Sequence, residues 1–418
     1  MADAVLTRSA LSRTSLLAAA LAFGGLPLYV HVPRFYAEQM ALSLPALGAV
    51  LLAARAFDSI QDPVIGWLAD RWRGVREIWA IVGMTLLASG FLILFAPPDW
   101  GAPLPRLAIG LFAAFTGFSA LQIAIYDHGL ALAGNAQGAH TRVALWREAG
   151  GLGGICLAAM APAVLATTMG PAGAFLGFAL VFLAVAASAS LVMAGHWRAS
   201  GSVHAGPGSF RRALASPGIL PILAFGFVNA LPTAVTSTLF LFFVSHVLEA
   251  EDHAGPLLLL FFAAAAGAAP GWARLADRFG RRFTLASAMS LSIFAFAWAY
   301  LLGPGDIAPF YVVAIASGAS LGADMTLAPA MLAARIEDDG GRVFALWTFL
   351  QKSALALAAG IALPTVALAG FVPTESVTEQ GREALSVAYA LVPCLLKLFA
   401  IGALGFLPSG KETTLAET

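Results

Sequence analysis

Twelve apolar stretches, each long enough to cross a bilayer, occupy most of this 418-residue chain. A bilayer core of about 30 Å is crossed at about 1.5 Å per residue, so a spanning helix needs about 20 mostly apolar residues. The stretches run over approximately 14–36, 43–69, 78–96, 104–133, 142–168, 171–195, 217–247, 254–275, 282–303, 309–336, 343–371 and 384–408. Inside lipid every backbone N–H and C=O must be bonded within the chain, which makes each stretch a helix. The expected fold class is therefore all-α, a polytopic membrane protein with 12 transmembrane helices. Composition agrees, with 60% hydrophobic and 11% charged residues against roughly 25% charged in soluble domains. A formal net charge of zero removes the basic excess that would point to nucleic acid, so the lipid bilayer and a small-molecule substrate are the expected partners of a monomer. Cys156 and Cys394 sit in apolar stretches without a CxxC motif and read as packing residues, with neither a disulfide nor a metal site implied. The first stretch outruns a signal peptide and reads as a first span.

Sixteen of the 23 lysines and arginines, from Arg8 and Arg13 through Arg71, Arg73 and Arg76 to Lys411, fall in alternate loops and the termini, whereas the facing loops hold only Arg106 and Arg382. Cytoplasmic loops carry the positive charge. Both termini are thus expected in the cytoplasm of a bacterial-type inner membrane.

The chain also repeats itself. Leu68-Ala69-Asp70-Arg71 recurs as Leu275-Ala276-Asp277-Arg278, Arg142-Val143-Ala144-Leu145-Trp146 as Arg342-Val343-Phe344-Ala345-Leu346-Trp347, and Asp127-His128-Gly129-Leu130-Ala131 as Asp324-Met325-Thr326-Leu327-Ala328. Three echoes in one order, each near half the chain length, indicate a duplicated six-helix unit. The expected organisation is two pseudo-symmetric bundles, 1–195 and 214–418, joined by a flexible polar cytoplasmic linker, 196–213.

The loop Gly66-Trp67-Leu68-Ala69-Asp70-Arg71-Trp72-Arg73-Gly74 resembles the G-x-L-x-D-R signature of the major facilitator superfamily, and its echo Ala276-Asp277-Arg278-Phe279-Gly280-Arg281-Arg282 resembles it more closely still. The second span, Arg55-Ala56-Phe57-Asp58-Ser59-Ile60-Gln61-Asp62-Pro63-Val64-Ile65-Gly66, is similar to the D-x-x-x-D-P-x-x-G of melibiose-permease-like sodium symporters. In that family the two carboxylates bind the coupling cation and a lysine of the eleventh helix lies beside them. The resemblance implies those roles for Asp58, Asp62 and Lys352. A sugar-contacting arginine of the fifth helix matches Arg147, but Gln122 stands where the family's fourth-helix aspartate would be, and Ala22 stands at its first-helix aspartate. These departures point away from a melibiose-like sugar. The general pattern also resembles bacterial facilitators that include copper and riboflavin importers. The M-x-x-x-M and H-x-x-x-M pairs of copper importers are absent from the seventh and eighth spans, which hold no methionine.

Charge at mid-bilayer costs at least about 2.5 to 3.5 kcal/mol, so each such residue needs a partner, a cavity or a task. Asp58 and Asp62, four apart, project from one helix face and form either a cation cage or a proton-sharing pair. Sodium or a proton is the coupling ion these groups would take, with no further cofactor; a structural ion network with Arg55 and Lys352 is the alternative. Asp127, His128, Arg147 and Glu148 form a second cluster, in which Arg147 offers a planar donor fork to a substrate or simply pairs the helices. Asp324 is expected to pair with an arginine of a neighbouring loop, and Lys397 has no evident partner.

Asn229, Pro232, Thr233, Thr236, Ser237 and Thr238 make a polar, proline-broken stretch of the seventh span, a candidate substrate wall. Tyr126, Trp146 and Trp347 could stack on a sugar or aromatic ring. Candidate substrate contacts are therefore Gln122, Tyr126, Arg147, Asn229, Thr233 and Thr236. Asp70, Arg71, Asp277 and Arg278, near helix ends, are gating candidates. The expected function is secondary transport by alternating access, cation-coupled import of a small solute, with proton-coupled export of an amphipathic compound as the alternative. No HExxH, GxSxG or Walker motif supports an enzyme.

Overall fold

The computed structural model describes residues 7–71, 76–95, 101–133, 139–197, 218–335, 340–373 and 377–407. Among the described residues, twelve helices follow the twelve apolar stretches. They are α1 (Arg8–Tyr29), α2 (Leu44–Arg71), α3 (Arg76–Phe95), α4 (Pro103–Ala133), α5 (Arg142–Gly170), α6 (Gly173–Met193), α7 (Ile219–His246), α8 (Ala254–Phe279), α9 (Arg281–Ala299), α10 (Ile307–Ala333), α11 (Gly340–Leu368) and α12 (Glu379–Gly405). Among the described residues, eleven of them are long and apolar enough to cross a membrane. The twelfth, α2, has the length, 28 residues. It is apolar through Ala54 and then carries Arg55, Asp58 and Asp62. The charges that set it apart are those with a candidate function.

The chain forms two compact units: the residues up to Ser202 with Ala254–Leu259 and Pro373–Glu375, and Val203–His253 with Leu260–Val372 and Ser376–Thr418. The anticipated linker, 196–213, lies outside the described residues from 198 onward.

In the first unit α1 starts at Thr7, whose hydroxyl accepts from the Ala10 amide at 3.2 Å. It bends past Pro27 into His31–Arg34 and a π turn, Phe35–Gln39. Helices in lipid gain little from hydrophobic exclusion and associate by close packing. Gly150 and Gly154 of α5 show this, because a Cβ on either would stand 2.0 Å from a carbonyl oxygen of α1, Ser15 or Ala19. Between α5 and α6 the chain breaks at Gly170, with φ 72° and ψ 166°. That backbone favours glycine, and the following Pro171 turns it out of the helical region. Phe91 packs its ring 4.4 Å from Phe182 and 5.2 Å from Phe178 to fill the interior.

The second unit uses the same device. Gly318 and Gly322 of α10 lie against α8, where an added Cβ would meet Phe261 O at 2.2 Å and Ala265 O at 2.3 Å. Trp272 Nε1 donates to Ala319 O at 2.7 Å across the same contact. Phe243, Phe310 and Tyr389 stack at one end, with ring centroids 4.2 Å apart for Phe243 and Tyr389. Both cysteines are free, Cys394 buried and Cys156 half-buried.

Candidate functional site

Among the described residues, three polar clusters within the spans concern the candidate site. The first is centred on Asp58, which is 2% exposed. Its Oδ1 accepts from Ser119 Oγ of α4 at 3.0 Å and from Gln61 Nε2, one turn along α2, at 3.1 Å. Its Oδ2 stands 3.8 Å from Arg55 Nη1. Gln61 Oε1 in turn faces the Thr116 hydroxyl at 2.7 Å. Arg55 Nη1 donates to the Tyr29 hydroxyl at 3.0 Å, and the guanidinium carbon sits 3.9 Å from the Tyr29 ring centre and 4.0 Å from that of Phe115. Its Nη2 has no hydrogen-bond acceptor. The two ring faces supply the negative potential that an acceptor otherwise would.

Asp62 follows one helical turn after Asp58 and is half-buried. One positive and two negative formal charges therefore share this face of α2, a net charge of minus one. Lys352 is buried on α11 of the second unit. The side chains of Asp70 and Arg71, at the end of α2, lie outside the described residues.

The second cluster joins residues of α4 and α5. The Arg147 guanidinium lies 4.2 Å above the Tyr126 ring and donates through Nη2 to Glu148 Oε1 at 2.8 Å. Tyr126 is 47% exposed, so its free face and the guanidinium edge are reachable. Gln122, one turn before Tyr126, is half-buried. Asp127 is held instead by Arg76 of α3, at 2.5 Å. Arg147 pairs with Glu148, its neighbour on the same helix.

The third cluster, in the second unit, was not legible in the sequence. Lys397 Nζ of α12 donates to Asp324 Oδ2 of α10 at 2.5 Å and to Asn229 Oδ1 of α7 at 2.7 Å, while Asn229 Nδ2 donates to Asp324 Oδ1 at 3.0 Å. Asp324 was expected to meet a loop arginine; its partner is Lys397, because the two face each other across α10 and α12. Asn229 is thereby a bridge between charges. One turn above, Gln351 Nε2 of α11 donates to Gly226 O at 3.2 Å, and the Trp347 indole covers Gly226 so closely that a Cβ there would lie 2.1 Å from it. Trp347 is core, not an open stacking platform.

Thr236 directs its hydroxyl to Pro232 O and Thr233 O of its own helix, both at 3.1 Å. Thr233 is half-buried, and its carbonyl is also taken by Ser237. The expected proline break is absent, since α7 runs as one helix past Pro232, and these hydroxyls bond carbonyls of that helix and not the Asn229 cluster. Asp277 and Arg278 are exposed at the end of α8, with Arg278 5.2 Å from the Phe279 ring centre. Among the described residues no group of three or more His, Cys, Asp or Glu could hold a metal ion.

Twelve helices in two compact units, with charged groups held inside the spans by partners from neighbouring helices, define a polytopic membrane transporter. Residues 14–410 match the family described as MFS/sugar transport protein, and the chain belongs to it. Solved structures share the fold. A mutant of the nucleoside transporter NupG aligns with a TM-score of 0.70 at 14% identity, covering 95% of this chain and 99% of its own. A bacterial homologue of the human lysosomal transporter Spinster, inward-facing and occupied, aligns at 0.64 and 17% identity over 96% of each chain. A bacterial homologue of the iron transporter ferroportin aligns at 0.68 and 14% identity, covering 94% of this chain and 99% of its own.

Proposed function

We propose that this transporter imports a small polar solute by alternating access, driven by one monovalent cation, sodium or a proton, held at Asp58 and Asp62. The observation that carries the reading is the setting of Asp58: a carboxylate buried in a span, with donors from Ser119 and Gln61, a flanking Arg55, and a second carboxylate, Asp62, one turn along the same helix. A charge kept in lipid at such cost is a functional group by default. A cation bound between the two carboxylates changes the relative stability of conformations that expose or bury them. The resemblance to sodium symporters assigns the same residues, and adds Lys352 as a competing charge.

Tyr126 and Arg147 are the proposed solute contacts. An open aromatic face beside a planar donor fork suits a ring with polar edges, such as a sugar or a nucleoside; the family description and NupG point to the same range. The protein is proposed to act as a monomer in an inner membrane, with both termini cytoplasmic.

Uptake of radiolabelled sugars, nucleosides and riboflavin into proteoliposomes, under an imposed sodium or proton gradient, tests this. The reading expects accumulation of one solute class with one gradient only, collapsed by the matching ionophore. Outward movement driven by an opposing proton gradient would replace import by export.

A further inference from the structure

We infer that the Asn229–Asp324–Lys397 triad is a second proton site, in which a proton binds Asp324 Oδ2 and displaces the Lys397 ammonium from it. The inference rests on the secondary-transport reading but not on Asp58 or Asp62, and its geometry lies wholly within the second unit.

The three side chains come from three helices and form a closed ring in which each is bonded to both others. Lys397 is the deepest member, its side chain 3% exposed, whereas the Asp324 side chain is 11% exposed. The carboxylate is thus the member that a proton can reach, and the ammonium is the one kept behind it. An apolar trio of similar volume would pack as well or better, because a buried ion pair repays little more than its desolvation. Holding the helices together therefore does not by itself account for charge here.

The surrounding charges sharpen the point. Across α7, α9, α10 and α11 Asp324 is the sole carboxylate, and α12 adds only Glu379 and Glu383 at its start. The other titratable groups are Lys352, next to Gln351, and Arg342 on α11; Arg274, Asp277 and Arg278 in the exposed last turns of α8, which packs on α10; Cys394 on α12, whose thiol donates to Ile293 O; His246 at the end of α7; Tyr311 near the start of α10; Tyr300 after the end of α9; Tyr389 and Arg382 on α12; and Arg281 and Arg282 at the start of α9. Asp324 is thus the carboxylate that holds the Lys397 ammonium. When a proton forms an O–H bond at Asp324 Oδ2, the ring passes from neutral to a net charge of plus one. Lys397 keeps only Asn229 Oδ1 as acceptor. A buried ammonium in that state is costly, so protonation favours movement of α12 against α10, entry of an anion, or release of the ammonium's own proton.

Infrared difference spectra of the full-length protein in liposomes, neutral against acidic pH, read this without solute or gradient. Failure here is therefore separate from failure of Asp58 and Asp62 as the coupling pair. The proposal expects a protonated-carboxyl band on acidification that is lost in Asp324→Asn, and that is already present at neutral pH in Lys397→Met. The charge-free double variant, Asp324→Asn with Lys397→Met, should fold and lack the band even if the single variants do not. A band unchanged in both Asp324→Asn and the double variant, or no band difference between the wild type and these variants at any pH, would overturn it and leave the pair a structural tie.

Discussion

Ser119 of α4 donates its hydroxyl to Asp58 of α2 at 3.0 Å, tying two helices through one buried carboxylate. Hydrogen bonds to charged groups are worth about 1.5 to 3 kcal/mol. Ser119→Ala should therefore raise the half-saturating concentration of the driving cation about tenfold or more, with a modest loss of thermal stability in detergent. Equal cation dependence in variant and wild type would remove Ser119 from the site.

Arg55 is anchored by the Tyr29 hydroxyl and by two ring faces. A lysine keeps the charge but not the flat guanidinium that lies against Tyr29 and Phe115. Removing one partner of a buried pair costs about 3 to 5 kcal/mol, so Arg55→Leu should lower the melting temperature markedly and Arg55→Lys by less. Melting curves on purified protein decide between this order and its reverse.

Gly154 touches the Ala19 carbonyl so closely that any side chain must push α5 from α1. Gly154→Val should unfold in milder detergent than the wild type, whereas Gly267→Ala, with open space around it, should behave as the wild type does. Comparable loss in both would show that α1 and α5 do not depend on the close approach.

Tyr126 and Arg147 are exposed enough that their stacking contributes little to stability, about 0.5 to 1 kcal/mol. Tyr126→Ala and Arg147→Lys should each raise the solute concentration for half-maximal uptake about tenfold, with Tyr126→Phe close to wild type. A change confined to maximal rate would place the pair outside the solute site.

Much of the fold was readable because lipid enforces it: length and apolarity alone mark the helices, and Gly170-Pro171 marks the break between α5 and α6. Asp58 and Asp62 were readable because a four-residue spacing puts two acids on one face. Their partners were not, since Ser119 lies 61 residues from Asp58 and Tyr29 lies 26 from Arg55. Lys397 shows the limit most plainly. A lysine in a span demands an acid, yet nothing in local periodicity connects it to Asp324, 73 residues away, or to Asn229, 168 away. Such pairs are set by which helices pack side by side. Thr236 shows a related limit, since a hydroxyl four residues after a carbonyl in the same helix often bonds it, as it does here with Pro232 O.

Asp58 is the centre of the account, and paired transport assays on Asp58→Asn test it most directly. Proteoliposomes holding the variant should still exchange internal for external solute at equilibrium, because solute contacts are intact, but should fail to accumulate solute under the cation gradient that drives the wild type. Accumulation by Asp58→Asn equal to that of the wild type would contradict the claim that this carboxylate couples the cation to transport.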